Sequence, residues 1–285
     1  MPAIRGAVGF NPSSGTARLF AAYGYEIINL ATGTGYPALT DNANDVEFEK
    51  FLDRVFFQNN VSRPLTYRTS TNKWTTDYVP RTPRSKYIKK YKSRLYLGYC
   101  QFTNPQIPVD SDDNELIFPS RIFYSDLFTG AQPDATLTWG IEWGVNGIGY
   151  PGTKIFQLDQ TASGTILVAN FDAANIKVGD PLFIIGRKPG TSINLSSNGY
   201  TVTAVENPHR LILNKEWTST VNSDGTHFWV GSNWFDVSPD DGDIITGLGE
   251  NSDSLLIFKL YSLWLYTRLE GSATLRQIPG AVGTS

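Results

Sequence analysis

Seven basic side chains crowd one short segment: Arg81, Arg84, Lys86, Lys89, Lys90, Lys92 and Arg94, with Tyr87 and Tyr91 between them. A stripe of this kind attracts phosphates by releasing the counterions condensed on a nucleic acid, and aromatic rings beside it offer stacking surfaces. The same stripe suits a strand whose charges pair with acidic neighbours. No acidic run adjoins it in the chain, so it forms a local positive patch. Carboxylates cluster twice elsewhere, at Asp240, Asp241 and Asp243 and at Asp110, Asp112, Asp113 and Glu115. Oxygen donors at that density can take up Ca²⁺, but neither loop has the spaced ligands of a calcium-binding loop, and Asp-Gly is an ordinary tight turn. Both are read as turns, with no metal and no cofactor.

The remaining reactive residue types are sparse. His209 follows Pro208 in a turn and His227 precedes Phe228 and Trp229; neither has metal-ligand spacing with another His or Cys. No nucleophile elbow, phosphate-binding loop or dinucleotide fingerprint occurs, and the Gly144–Gly149 segment is read as a loop. Trp139, Trp143, Trp217, Trp229, Trp234 and Trp264 can stack on sugars, although core and interface packing is the commoner use of Trp. The expectation is a protein that is not an enzyme.

These residues need a scaffold, and the composition says which. Of 285 residues, 40% are hydrophobic, 13% aromatic and 18% charged, with 26 Gly and 16 Pro. Aromatic and β-branched residues suit pleated half-buried surfaces, while Gly, Pro, Asn and Asp punctuate them. The chain is therefore expected to be all-β. The net charge of −3 selects no partner, and the one cysteine, Cys100, allows no internal disulfide, as suits synthesis in a reducing cytoplasm. Met1 to Phe20 shows no secretory pattern, and no apolar run reaches the roughly 20 residues of a membrane-spanning helix.

One helix is expected over Asn44–Asp53, where Val46, Phe48, Phe51 and Leu52 fall on roughly one face. The rest follows a loose unit: a small or acidic residue, an arginine, then an aromatic strand. Arg18-Leu19-Phe20, Arg54-Val55-Phe56 and Arg94-Leu95-Tyr96 open three units at a spacing of about 40 residues, the pattern of β-propeller blades. Ser254-Leu255-Leu256 opens another without the arginine. A different unit intervenes, with Lys177-Val178-Gly179-Asp180 leading into Leu182–Gly186, then Gly199–Val205 and Arg210–Leu213. The resulting expectation is a β-propeller-like or open β-meander body over 1–150 and 234–285, with a small β-barrel inserted at 151–233. The body would hold about five blades of that period and leave an edge for a neighbouring chain to cover.

The segment Asp240–Leu248, then Leu255–Lys259 and Leu263–Tyr266, resembles propeller-like virion proteins of tailed bacteriophages, of the tail nozzle, tail hub and DNA-stabilisation kinds. Ser93–Tyr96 and Pro119–Ser125 are similar to their blades, and Lys177–Asp180 with Gly199–Val205 is similar to small β-barrels of phage structural proteins. The resemblance covers residues 90–150 and 235–285 best. It implies a structural subunit of a tail or connector in the virion, made in the host cytoplasm. Its partners would be further copies in a ring, other tail and portal proteins, and DNA in the lumen beside Arg81–Arg94, with no membrane. The alternatives are a receptor- or carbohydrate-binding tail protein, a capsid-associated decoration protein and a glycan-degrading enzyme.

Overall fold

The structure, a computed structural model, describes residues 3–13, 15–37, 39, 44–62, 64–76, 83–103, 115–125, 141–143, 147–150, 152–158, 176–186, 200–216, 227–230, 233–269 and 272–280. Arg81, most of the 110–115 loop, residues 144–146, Trp139, Trp217 and the strand expected at Ile166–Val168 lie outside them. The fold is all-β and propeller-like, with no helix among the described residues.

Four sheets are four-stranded and antiparallel, and each is a blade. The first contains Ile4–Phe10 (β1), Arg18–Tyr23 (β2), Glu26–Asn29 (β3) and Thr34–Pro37 (β4). The second contains Glu47–Phe51 (β5), Arg54–Gln58 (β6), Leu65–Arg68 (β7) and Lys73–Thr76 (β8). The third begins with Arg84–Tyr91 (β9), Arg94–Thr103 (β10) and Glu115–Tyr124 (β11). Its fourth strand arrives only after a long excursion. That excursion is a seven-stranded sheet of Ile141–Trp143 (β12), Gly147–Gly149 (β13), Ile155–Leu158 (β14), Pro181–Gly186 (β15), Tyr200–Asn207 (β16), Arg210–Leu213 (β17) and His227–Val230 (β18). Trp234–Asp236 (β19) then completes the third blade by pairing with β11. The fourth blade is a meander of Ile245–Glu250 (β20), Leu255–Lys259 (β21), Leu263–Leu269 (β22) and Ser272–Gln277 (β23).

Two expectations change. The segment read as a helix is β5, the opening strand of the second blade, and it hairpins onto β6 through Leu52-Asp53. Its apolar residues serve both faces of a sheet rather than one face of a helix: Phe48 packs toward the first blade and Phe51 toward the third. Position 151 is also not where the insertion starts. The pairing of β12 with β18 and of β13 with β14 puts both strands in the inserted sheet. The sheet curls, with β16 joining its two halves, but β12 and β13 at its ends do not pair with each other among the described residues.

The second strand of each blade carries the repeat. Arg18, Arg54 and Arg94 are the first residues of β2, β6 and β10, so the spacing in the sequence is the blade repeat. Side chains alternate across a strand, and this alternation builds three cores between consecutive blades. Phe20 and Ala22 meet Val55, Phe57 and Tyr67; Phe56 meets Leu95, Leu97 and Phe123; Tyr96 and Ile122 meet Leu255, Ile257 and Tyr266. Every residue of β6 is buried, as befits a strand covered on both faces. Across the last core Phe235 stacks on Tyr266, with centroids 4.4 Å apart and planes 9° apart.

Candidate functional site

From Arg84 to Arg94 the basic stripe forms β9, its turn and the start of β10. First strands of successive blades lie side by side, β1 by β5, β5 by β9 and β9 by β20, the innermost place in a propeller. Neighbours hold several of the stripe's charges. Lys89 pairs with Glu49 of β5 at 3.2 Å. Lys92 donates to the Arg268 carbonyl in the fourth blade and lies over the Tyr91 ring. Arg94 donates to the Ser125 carbonyl at 2.5 Å and lies over Tyr124. Exposed Lys86 rests on Tyr99, its Nζ 4.0 Å from the ring centroid. Lys90 is half-buried and has no polar partner among the described residues, while Arg84 is half-buried and engaged. Tyr91 is no stacking platform: it is buried, and its hydroxyl donates to the Asp253 carbonyl at 2.7 Å. Glu47 accepts from the Ile88 N–H at 3.1 Å, closing part of the inner edge of β9, and burial raises its pKa.

The Asp240–Asp243 turn receives a lysine. Lys259 is wholly buried and donates to both Asp241 carboxylate oxygens, at 2.7 and 2.8 Å, and to the carbonyls of Val237 and Ser238. Burial pushes the Asp241 carboxyl up, but Lys259 and the Asp243 N–H outweigh it and hold its pKa below the usual value. Asp243 accepts from the Ser262 hydroxyl and the Tyr261 N–H. Among the described residues no three His, Cys, Asp or Glu side chains gather as a metal site, and no helix is long and apolar enough to cross a membrane.

The densest polar cluster joins the inserted sheet to the third blade. Arg121 of β11 donates to both oxygens of Asp236 on β19, at 2.7 and 3.0 Å, and to the Gly179 carbonyl at 2.7 Å. Two cations lie against Trp234, with the Arg121 guanidinium 3.3 Å and the Lys177 ammonium 4.2 Å from its ring centroid. Its indole N–H donates to Asp180 at 2.6 Å, and the Lys177 N–H donates to the other oxygen at 2.9 Å. Burial raises the Asp180 pKa to about 6 against these hydrogen bonds. Gly179 has φ 94°, where a side chain is strained, and a Cβ there would lie 3.2 Å from the Trp234 ring, tighter than ordinary contact.

The sequence singled out Lys177–Asp180 and Trp234 separately but not their meeting, which depends on the chain returning to the third blade. Lys259 had one visible signal, a lysine at an inward position of an apolar strand downstream of an aspartate turn. Trp264 packs in the core between the third and fourth blades, and its N–H donates to Ser262. The indoles of Trp143 and Trp229, on paired strands, and the ring of His227 lie outside the described side chains. No family model and no curated protein matches the chain. Among solved structures it is similar to a chain of a crystal structure of the mitotic checkpoint complex, at 10% identity over 99% of this chain and 86% of that one, with a TM-score of 0.24. A likeness that loose carries no argument.

Proposed function

We propose that the protein is a structural subunit of a tailed-phage tail or connector that assembles with copies of itself and with other virion proteins. Its residues would act mechanically and not catalytically. The observation that carries this reading is the use made of the charged motifs. Lys89–Glu49 ties the second blade to the third, Lys92 ties the third to the fourth, Lys259–Asp241 locks the turn entering the fourth, and Arg121–Asp236 closes the third around the insertion. The resemblance of the β20–β22 hairpins to phage propeller proteins gives the setting. In that setting β9 would face the lumen, and Lys86 and Lys90, which have no carboxylate partner among the described residues, would meet DNA phosphates.

Two measurements test this. DNA binding should fall as salt rises, and Lys86→Ala with Lys90→Ala should reduce the slope of log affinity against log salt by about one unit per lost phosphate contact. Salt-independent binding, or none, removes the lumen assignment. Imaging of a virion that lacks this chain from its tail and connector removes the reading as a whole.

A further inference from the structure

The three inter-blade cores use the same positions of each second strand. Counting from the arginine or its Ser254 counterpart, the next and third residues face the preceding blade: Val55 and Phe57, Leu95 and Leu97, Leu255 and Ile257. The second residue faces the following blade: Phe20, Phe56 and Tyr96. At the two ends of the row these positions have no blade against them among the described residues.

On the first blade the open face carries exposed Leu19, with Ala21 already buried at its centre. Register places Gly9 and Leu30 beside Leu19, Ala7 and Ile28 beside Ala21, and Ile4 beside Tyr23. Ile4, Leu19, Tyr23 and Leu30 are 59, 44, 39 and 46% exposed, an apolar concentration unusual for a free surface. On the fourth blade the open face carries Leu256 and Phe258, which pair with Leu265 and Leu263, over a floor of Gly247 and Gly249. The faces also differ in charge. Exposed Glu26 borders the first and exposed Arg276 borders the second, each in cross-strand register with the apolar rows.

We infer that the open face of the fourth blade docks on the open face of the first blade of a second copy, continuing the row of blades from chain to chain. The inference rests on the assembly reading above and names its contact. Each end presents the face that its internal counterparts bury, so the joint repeats an interface the chain already makes three times. The contact is heterologous, because one chain gives its first blade and the other its fourth, and it propagates as a ring or a filament.

The test uses the full chain and two variants, Leu19→Glu and Leu265→Glu, the latter opposite Arg276. Light scattering after size exclusion should show the unmodified chain larger than a monomer. Each variant alone should be a folded monomer, and the two mixed should form a one-to-one dimer through their intact faces. Ala7→Arg and Arg276→Glu, at exposed positions, replace either variant if it fails to fold. A monomeric unmodified chain overturns both the joint and self-assembly. Variants that assemble like the unmodified chain overturn the joint alone and leave assembly through another surface. Variants that stay monomeric when mixed overturn the head-to-tail arrangement in favour of a symmetric contact.

Discussion

Arg121 and Asp236 are cross-strand partners in register, and their side chains form a two-point ion pair of 2.7 and 3.0 Å. One precedes the inserted sheet and the other follows it, so the pair closes the third blade around the excursion. The guanidinium also reaches the Gly179 carbonyl and lies against Trp234. Lysine has neither the forked donors nor the flat face for those contacts. Arg121→Lys should therefore cost about 1–3 kcal/mol, read as a lower urea midpoint. A double-mutant cycle with Asp236→Asn should give a coupling of about 1 kcal/mol or more, because the two groups share one network. Strictly additive effects would show that the pair does not act as a unit.

Folding stability should also respond to pH through the same cluster. Burial raises the Asp180 pKa to about 6, so its carboxyl binds a proton more readily in the folded than in the unfolded chain. The stability it contributes is fully present below the unfolded pKa of about 3.9 and is lost as pH rises through the folded value near 6. Through Asp180 the folded chain is thus more stable at pH 5 than at pH 7.5, by about 1 kcal/mol. Glu47, also raised by burial, acts with the same sign, and Asp241, lowered, acts with the opposite one. The difference between the native chain and Asp180→Asn isolates the Asp180 share. Parallel stability curves for the two proteins from pH 5 to 7.5 would exclude it.

A lysine with no exposed surface is costly to strand. Lys259→Met leaves Asp241 and the carbonyls of Val237 and Ser238 without their donor, and Asp241→Asn leaves a buried ammonium without its counter-charge. Stranding the buried ammonium in Asp241→Asn costs about 3–5 kcal/mol, and Lys259→Met costs less, because the exposed Asp241 carboxylate reaches water. Exposed Lys86→Met should change stability by less than about 0.5 kcal/mol. Chemical unfolding of the three variants side by side checks the order.

The sequence made three blades legible because one residue type marks one place in each of them. Arginine opens the second strand of three blades, and alternation from it assigns every inward side chain of that strand. What escaped was decided by contacts distant in the chain. β5 holds apolar residues at spacings that fit a helix or a two-faced strand, and the pairing with Arg54–Gln58 decides for the strand. The start of the insertion escaped because β12 pairs with β18, far along the chain. The basic stripe was visible as charge, but Glu49 and the Arg268 carbonyl belong to neighbouring blades and could not be placed from composition.

Backbone strain gives a prediction of opposite sign. Leu52 begins the β5–β6 turn at φ 58° with 45% of its surface exposed, so little packing offsets a left-handed conformation that costs a non-glycine residue about 1 kcal/mol. Leu52→Gly should raise stability by about 0.5–1 kcal/mol despite the greater freedom of glycine when unfolded. A lower melting temperature for this variant would mean that the exposed leucine makes contacts worth more than the strain.

Strand β21 separates the two faces of the fourth blade within two neighbouring residues. Ile257 is wholly buried against the third blade, where an aspartate finds no partner and no water. Phe258 is only half-buried on the other face, where its ring spans Gly247 and Gly249. Ile257→Asp should abolish soluble folded protein, since an unpaired buried charge exceeds the few kcal/mol that hold a domain together. Phe258→Asp should fold with a loss of about 1–3 kcal/mol, because its carboxylate stays in reach of water. Phe258, though the bulkier side chain, is thus the more replaceable of the two for folding. Soluble yield and circular dichroism of the pair distinguish this from a strand packed equally on both sides, for which both variants would fail together.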